Sequence, residues 1–373
     1  MIPVCKPWMP GKEKEYVNDA LDTNWISSSG DYIERFEKGF SEFCGSKYGI
    51  CCSNGYAALH LACLALGLKQ GDEVIVPTFT MIACANAVIA AGAKPVFVDM
   101  DKETWCIDVK KIEEKINEKT KAIMPVHIYG HPCDMDPILD LAKKYNLYII
   151  EDSAEAHGAE YKGKKVGAIG DIGCFSFYAN KILTTGEGGM CITNNLELAE
   201  KMKKLRNYAF EPNRFTHNEL GLNYRLTNIQ AAIGTAQVEN AKMLVEARRN
   251  IGIRYNKMLK DVKELILPAE KDYAKNVYWM YGVILSDEVR LTKEEAMQKL
   301  KEKGIETRSF FVPMHKQPVF LKMGKNVDYS GNFEVADKIS SRGFYIPSSS
   351  DLTDEEIKIV SDALKDVLAS KSI

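Results

Sequence analysis

Short apolar runs alternate with longer, partly polar stretches along the first part of the chain. The apolar runs predict β-strands at residues 48–52, 73–77, 95–99, 121–126 and 147–151. The stretches beside and between them predict helices at residues 11–24, 56–66, 82–91, 109–118 and 134–145. Because strands that alternate with helices form a mostly parallel sheet covered by helices on both faces, the predicted fold class is α/β.

The pattern changes in the last part of the chain. Strands at residues 174–177 and 191–193 and a helix at 196–207 complete the predicted large domain. A long helical pattern over 226–259 leads to the apolar run VYWMYGVIL, a helix that starts at Lys293 and a strand at 305–311. We therefore predict a large domain over residues 1–250 and a smaller α+β domain over 251–373.

Composition excludes several classes of partner. The 373 residues include 49 Lys plus Arg and 51 Asp plus Glu, a formal net charge of −2, so no overall charge favours nucleic acid or an anionic membrane. The first residues lack the apolar region of a signal peptide, and no run of about 18 apolar residues occurs. We expect a cytoplasmic chain without a membrane span, whose ten irregularly spaced cysteines are reduced.

One lysine lies between an apolar strand and a glycine-rich turn. In GCFSFYANKILTTGEGGM, residues 173–190, Lys181 follows the predicted strand and precedes glycines that permit a tight backbone. We expect this lysine to point into a crowded pocket, where burial disfavours the ammonium form and leaves an amine that can attack a carbonyl. The alternative is one more surface lysine, so the neighbouring segments decide.

Two carboxylates close a neighbouring strand. Glu151 and Asp152 follow the run LYII, at the carboxyl end of a predicted parallel strand, which is where ligands bind in open α/β sheets. The small residues after Asp152 let a flat ligand such as pyridoxal phosphate (PLP) lie close to the backbone. Asp152 would then keep the ring nitrogen of PLP protonated, which lets the ring accept electrons. Taken alone, a turn or helix N-cap is the more frequent role for such an aspartate.

One further segment indicates a phosphate site, and another resembles a metal site without having its geometry. The turn SNG at residues 53–55 separates a strand from its helix, and the free N–H groups of a helix N-terminus bind phosphate, although many capped helices begin in this way. The segment HIYGHPCDMD contains His127 and His131, but Gly130 and Pro132 break the helix that an i, i+4 ligand pair requires. We predict no metal site.

Three segments together carry a family resemblance. EDSAEAHGAEYKGKKVGAIGD, FSFYANKILTTGEGGM and GLNYRLTNIQAAIG resemble the PLP-dependent nucleotide-sugar aminotransferases of fold type I. The likeness extends from GKEKEYVNDALDTNWISS at residues 11–28 to WMYGV at 279–283 and GIETRSFFVPMH at 304–315. It is greatest to the branch whose members make GDP-perosamine. Nearly the whole chain is therefore covered.

The resemblance implies a reaction and its partners. Lys181 would bind PLP as a Schiff base and move protons, while L-glutamate donates the amino group to C4 of a nucleotide-linked 4-keto-6-deoxy sugar. GDP-4-keto-6-deoxy-D-mannose is the implied acceptor, GDP-perosamine the product and O-antigen lipopolysaccharide its destination. The implied enzyme is a cytoplasmic homodimer with shared active sites.

The resemblance also assigns roles to the cofactor-binding residues. It implies phosphate contacts from the backbone at Asn54, Gly55 and Tyr56, where Tyr56 replaces the usual threonine, and from the hydroxyl of Ser176. Met81 replaces an aromatic residue that covers the PLP ring, and Glu155 replaces a glutamine near the ring hydroxyl. Asn223 would reach the cofactor phosphate of the neighbouring subunit.

The assignment of the sugar side leaves alternatives open. Arg308 and His315 are candidates for sugar or diphosphate contact, although either can be a surface residue, and Trp25 either lines the site or pins its loop. Related proteins that dehydrate the sugar carry histidine in place of Lys181. A catalytically idle sugar-binding or regulatory protein, or an enzyme acting on a UDP- or dTDP-linked sugar, remains the alternative.

Overall fold

A computed structural model describes residues 1–213 and 215–369 of the chain. Within these residues the α-helices are α1 Glu13–Asp22, α2 Asp31–Cys44, α3 Gly55–Ala65, α4 Ala83–Ala90, α5 Met135–Tyr145, α6 Leu196–Arg206, α7 Asn228–Glu239, α8 Ala241–Leu259, α9 Lys293–Glu302, α10 Pro318–Met323, α11 Glu334–Arg342 and α12 Asp354–Ala369. The strands are β1 Tyr48–Cys52, β2 Glu73–Pro77, β3 Lys94–Val98, β4 Thr120–Ile123, β5 Tyr148–Asp152, β6 Glu160–Tyr161, β7 Lys164–Lys165, β8 Ile172–Ser176, β9 Gly189–Thr193, β10 Leu265–Ile266, β11 Ala274–Lys275, β12 Tyr281–Leu285, β13 Arg308–Ser309 and β14 Gly343–Ile346.

A seven-stranded sheet forms the centre of the molecule. Its strand order is β1-β9-β8-β5-β4-β2-β3, and β9 runs antiparallel to both of its neighbours, while the other pairs are parallel. The strands consist almost entirely of buried residues, as expected for a sheet covered by helices on both faces. The predicted α/β class with a mostly parallel sheet is confirmed.

A second, antiparallel sheet is built from the C-terminal part. Its order is β10-β12-β14-β13, and its core contains residues of α8, α9 and α12. Helix α8 connects the two parts, since Leu244 and Val245 pack in the core of the large sheet while Tyr255 and Leu259 pack in the second core. The predicted domain boundary near residue 250 falls inside this helix and stays a prediction.

Two predicted helices differ from the structure. Residues 109–118 form two single turns of 3-10 helix, Val109–Lys111 and Glu113–Lys115, because Ile112 is the one fully buried side chain there and no continuous apolar face exists. The predicted helix over 226–259 is divided at Asn240, whose side-chain Nδ2 donates to the carbonyl of Ala236.

Helix α2 was not predicted at all. Tyr32, Phe36 and Phe40 follow one another at a spacing of four and are buried, and Gly45 ends the helix with a left-handed φ of 77°. The amphipathic pattern was therefore present in the sequence. The predicted strand at 305–311 is also shorter, because only Arg308 and Ser309 pair with β14.

Glu151 lies on the opposite side of β5 from the pocket described below. Its carboxylate is fully buried and accepts hydrogen bonds from the backbone N–H groups of Gly167 (2.7 Å), Ile169 (2.8 Å) and Gly170 (2.6 Å). The Nε2 atom of His127 lies 3.0 Å from the same carboxylate. Glu151 therefore anchors a loop, and of the two carboxylates that end β5 only Asp152 faces the ligand side.

No helix within the described parts of the chain has the length and apolar character needed to cross a membrane.

Candidate active site

A cavity of about 640 Å³ opens beyond the carboxyl end of the parallel strands. Its size lies within the range of small-molecule sites. Nine of the residues predicted from the sequence line it, namely Asn54, Gly55, Tyr56, Met81, Asp152, Glu155, Ser176, Lys181 and Arg308. The fold therefore brings together residues that are up to 254 positions apart in the chain, which is the separation of Asn54 from Arg308.

Lys181 lies in the turn that follows β8. Its backbone N–H donates to the carbonyl of Tyr178 at 2.9 Å, which fixes the turn. The Nζ atom lies 3.6 Å from the centre of the Trp279 ring, and the Nε1–H of Trp279 donates to the carbonyl of Asn180 at 2.9 Å. A residue of the C-terminal part of the chain therefore covers the amine with the face of its aromatic ring.

The surroundings of Lys181 favour a neutral amine. Burial lowers the pKa of Lys181 below its usual value, and the negative charges of Glu155 and Asp152 oppose this lowering. A lysine with a lowered pKa has a larger fraction of free amine near neutral pH than an exposed lysine has. This is the form that can attack a carbonyl carbon.

Asp152 is the last residue of β5 and is held by two donors. Its Oδ1 accepts a hydrogen bond from the N–H of Ala154 at 3.0 Å, and its Oδ2 accepts one from the thiol of Cys84 at 2.9 Å. The residue is 5 % exposed. Since a carboxylate offers about four lone pairs, each oxygen retains capacity for one more donor from the cavity.

Glu155 lies in the turn after β5 and is also buried. Its Oε2 accepts a hydrogen bond from the backbone N–H of Tyr129 at 2.8 Å. Burial raises the pKa of Glu155 to about 7, and the charge of Lys181 and the bond from Tyr129 act in the opposite direction. Near neutral pH this carboxyl group can therefore either donate or accept a proton.

The N-terminus of α3 and the end of β8 form a cradle for an anion. Asn54 caps the helix through its side-chain oxygen, which accepts from the N–H of Ala57 at 2.9 Å, and the N–H groups of Gly55 and Tyr56 lie in the first turn, where no intrahelical carbonyl is available. A Cβ atom at position 55 would lie 2.7 Å from the Cβ of Ser176. The glycine thus lets the Ser176 side chain approach the helix N-terminus.

Three of the predicted site residues, His315, Trp25 and Asn223, do not line the cavity. His315 is held by Thr78 (2.8 Å) and Asp337 (2.9 Å) and stacks on Phe333, and burial lowers its pKa. Trp25 is 57 % exposed, and its carbonyl accepts a hydrogen bond from Asn228. The ligand roles predicted for both residues stay predictions.

Asn223 is an exposed residue that lies next to one wall of the cavity. It pairs with Asn207 in an isolated β-bridge, and the carbonyl of the following residue, Tyr224, accepts the N–H of Ser53 at 2.9 Å. Ser53 lines the cavity. The backbone next to Asn223 is thus bonded to the cavity wall, while Asn223 itself does not line the cavity of its own chain.

Comparisons with known proteins agree with this geometry. Residues 8–365 match the model of the DegT/DnrJ/EryC1/StrS aminotransferase family. The chain belongs to this family. It is 45 % identical to a GDP-perosamine synthase of Caulobacter vibrioides, over 98 % of both chains, and 44 % identical to one of Escherichia coli O157:H7, over 99 % of both. The crystal structure of S. venezuelae DesV in complex with a ketimine intermediate superposes with a TM-score of 0.89 and 31 % identity, over 95 % of this chain and 94 % of that one.

The DegT/DnrJ/EryC1/StrS aminotransferases use PLP, and the cavity fits that cofactor. The cradle at Gly55 and Ser176 suits a phosphate group, because helix N-terminal N–H groups and a hydroxyl are both donors. Asp152 has lone pairs left for a protonated ring nitrogen, and Lys181 offers an amine for the aldehyde. The phosphate, the ring nitrogen and the aldehyde of PLP therefore each have a suitable partner among the cavity residues.

Sequence reasoning missed several residues of this aminotransferase site. Cys84 binds Asp152, Trp279 covers Lys181, and the N–H of Tyr129 binds Glu155. Tyr345 lines the cavity as well. A signal existed for Trp279, since it begins the family segment WMYGV. Cys84 and Tyr129 act through contacts that only the folded chain creates.

Proposed function

We propose that this chain transfers the amino group of L-glutamate to C4 of GDP-4-keto-6-deoxy-D-mannose and so produces GDP-perosamine. The observation that carries the proposal is the position of Lys181, whose amine shares one cavity with the carboxyl groups of Asp152 and Glu155. PLP, when bound, supplies the electron-accepting ring that takes the amino group from one substrate and passes it to the other.

Lys181 is the proposed proton carrier. Its lowered pKa provides a neutral Nζ that accepts the proton from Cα of L-glutamate. The resulting ammonium group is stabilised by the Trp279 ring and by the charges of Glu155 and Asp152. In the second half of the reaction Nζ returns a proton to C4 of the sugar. One lysine thus serves both half-reactions.

Asp152, Glu155 and the anion cradle are proposed to orient the cofactor. Asp152 would bind the ring nitrogen, since both of its oxygens are already fixed in direction. Gly55, Tyr56 and Ser176 would bind the phosphate, and Glu155 would lie at the ring hydroxyl. Met81, which is half-exposed at the cavity wall, would cover one ring face through its polarisable sulfur.

Arg308 is proposed to bind the sugar-nucleotide. It lines the cavity from β13, opposite Tyr345 in the register of β13 and β14, and a guanidinium group suits a diphosphate. The high identity to two GDP-perosamine synthases over their whole length supports GDP as the nucleotide. Acceptors linked to UDP or dTDP are the second candidates.

An assay with a panel of acceptors tests the nucleotide. Purified protein, PLP and L-glutamate are mixed with the GDP-linked 4-keto-6-deoxy sugar or with its UDP- and dTDP-linked counterparts, and 2-oxoglutarate and amino sugar are measured together. We expect kcat/KM to be highest with the GDP-linked sugar, with no product from Lys181→Ala. A higher kcat/KM with another nucleotide would show that the assignment of the GDP-linked sugar as acceptor is wrong. It would not contradict the proposed aminotransferase reaction.

We also propose that the chain works as a cytoplasmic homodimer with shared sites, in O-antigen synthesis. Support comes from the exposed Asn223, whose neighbour Tyr224 is bonded to Ser53 of the cavity wall, and from two exposed side chains of the adjoining loop, Tyr208 (42 %) and Leu220 (96 %). Burying such apolar groups against a second copy is favourable.

An idle sugar-binding protein, the competing proposal, would be colourless, whereas the enzyme should show a yellow absorbance that L-glutamate bleaches.

A further inference from the structure

A thiol makes the shortest contact to the carboxylate that faces the cavity. Cys84 lies on α4 and is completely buried, and its Sγ is 2.9 Å from Oδ2 of Asp152. The hydroxyl of Thr80, four residues earlier and before α4 begins, lies 3.7 Å from the same sulfur. The three residues form a chain of polar contacts that runs from the cavity wall to Asp152.

We propose that Cys84 is a positioning residue for Asp152, whose S–H donates to Oδ2 and holds the carboxylate toward the ring nitrogen of PLP. Together with the N–H of Ala154 on Oδ1, the thiol gives each oxygen one fixed donor. These two bonds occupy one lone pair on each oxygen. The carboxylate is therefore fixed in direction and can still accept a further hydrogen bond at each oxygen. This inference rests on the proposed role of Asp152.

The thiol is in the correct form to act as a donor. Burial and the negative charge of Asp152 both raise the pKa of Cys84 well above its usual value, so the sulfur keeps its proton at neutral pH. The charged groups that face this pair across the same cavity are Lys181 and Glu155. Because a thiol is a weak donor, Asp152 keeps most of its affinity for a protonated ring nitrogen.

Cysteine variants test the proposal on the holoprotein. Cys84→Ala removes the donor, Cys84→Ser keeps a donor of similar size, and Cys84→Val fills the space without a donor. The matched control is Cys44→Ala, which truncates another buried thiol on α2, away from the cavity. Three quantities are measured: the free PLP concentration that keeps half of the protein yellow, the pH at which that absorbance changes, and kcat and KM for L-glutamate.

We expect Cys84→Ala and Cys84→Val to need roughly five- to tenfold more PLP, as when one hydrogen bond of average net strength is lost. Both should shift the pH of the absorbance change and lower kcat more than they change KM, while Cys84→Ser restores all three quantities. If Cys84→Val and Cys84→Ala match Cys44→Ala, or if Cys84→Ser fails to restore them, Cys84 only fills space and the proposal is wrong. The PLP measurements need no sugar, so their outcome is independent of the GDP assignment.

Discussion

The Nζ atom of Lys181 lies 3.6 Å from the centre of the Trp279 ring, so a residue from the C-terminal part covers the amine that the large sheet presents. The ring face attracts an ammonium group and therefore opposes the effect of burial, which lowers the pKa of Lys181. The tryptophan is fixed by its hydrogen bond to the carbonyl of Asn180. The position of one ring thus influences the protonation of the central lysine.

Trp279→Leu should lower the pKa of Lys181 further, because leucine keeps the pocket apolar but has no π face. The expected change is up to about 1.5 pKa units, since a desolvated cation–π contact contributes about 2 kcal/mol. Trp279→Phe, which keeps an aromatic face, is the matched control and should show a smaller change. The pH dependence of PLP uptake by cofactor-free protein measures the shift, and equal profiles for the two variants would contradict this reasoning.

Lys181→Ala should leave the fold intact and reduce turnover by at least about a thousandfold, since general acid–base catalysis contributes on that scale. The variant should also retain bound amino-sugar product, because no lysine remains to displace it. Lys164→Ala, at an exposed position of β7, serves as the control and should be fully active. Substantial residual steady-state amino transfer by Lys181→Ala would remove the lysine from its proposed role.

The sequence was sufficient to predict the residues at the ends of strands, and physical reasons explain what it left out. Asp152 and Ser176 end buried apolar runs, and Lys181 precedes a glycine-rich turn, so each could be placed from local pattern. Cys84 is different, because its role depends on a contact with a residue 68 positions away. The same holds for Trp279, 98 positions from Lys181, whose apolar run indicated only a strand.

Asp152→Asn should retain PLP but lose roughly 10- to 100-fold in kcat, because a neutral amide cannot keep the ring nitrogen protonated. Asp140→Asn, an exposed change on α5, controls for the substitution itself. PLP content and kcat are measured on the same preparations. A variant as fast as the parent would mean that Asp152 is a structural cap and that another group holds the ring.

Glu155→Gln should change how stability depends on pH. The folded chain raises the pKa of Glu155 to about 7 from the usual 4.5, mainly through burial. A group with a raised pKa contributes stability that is complete below its unfolded pKa and is lost as the pH rises through the folded pKa. The cofactor-free parent should therefore lose up to about 3 kcal/mol of unfolding free energy between pH 4.5 and 7 relative to the variant. Denaturant titrations at several pH values check this, and parallel curves would contradict it.

A mixture of two inactive variants tests whether Asn223 serves the site of a neighbouring subunit. In a heterodimer of Lys181→Ala and Asn223→Ala chains, sharing across the interface gives one doubly damaged site and one site with both residues intact. Random pairing of equal populations makes half of the dimers mixed, so activity should recover to about a quarter of the parental value. The test requires that Asn223→Ala alone be severely impaired and that labelled subunits be seen to exchange. If exchange occurs without recovery, both residues act within one chain or Asn223 is structural, which its β-bridge to Asn207 would then explain.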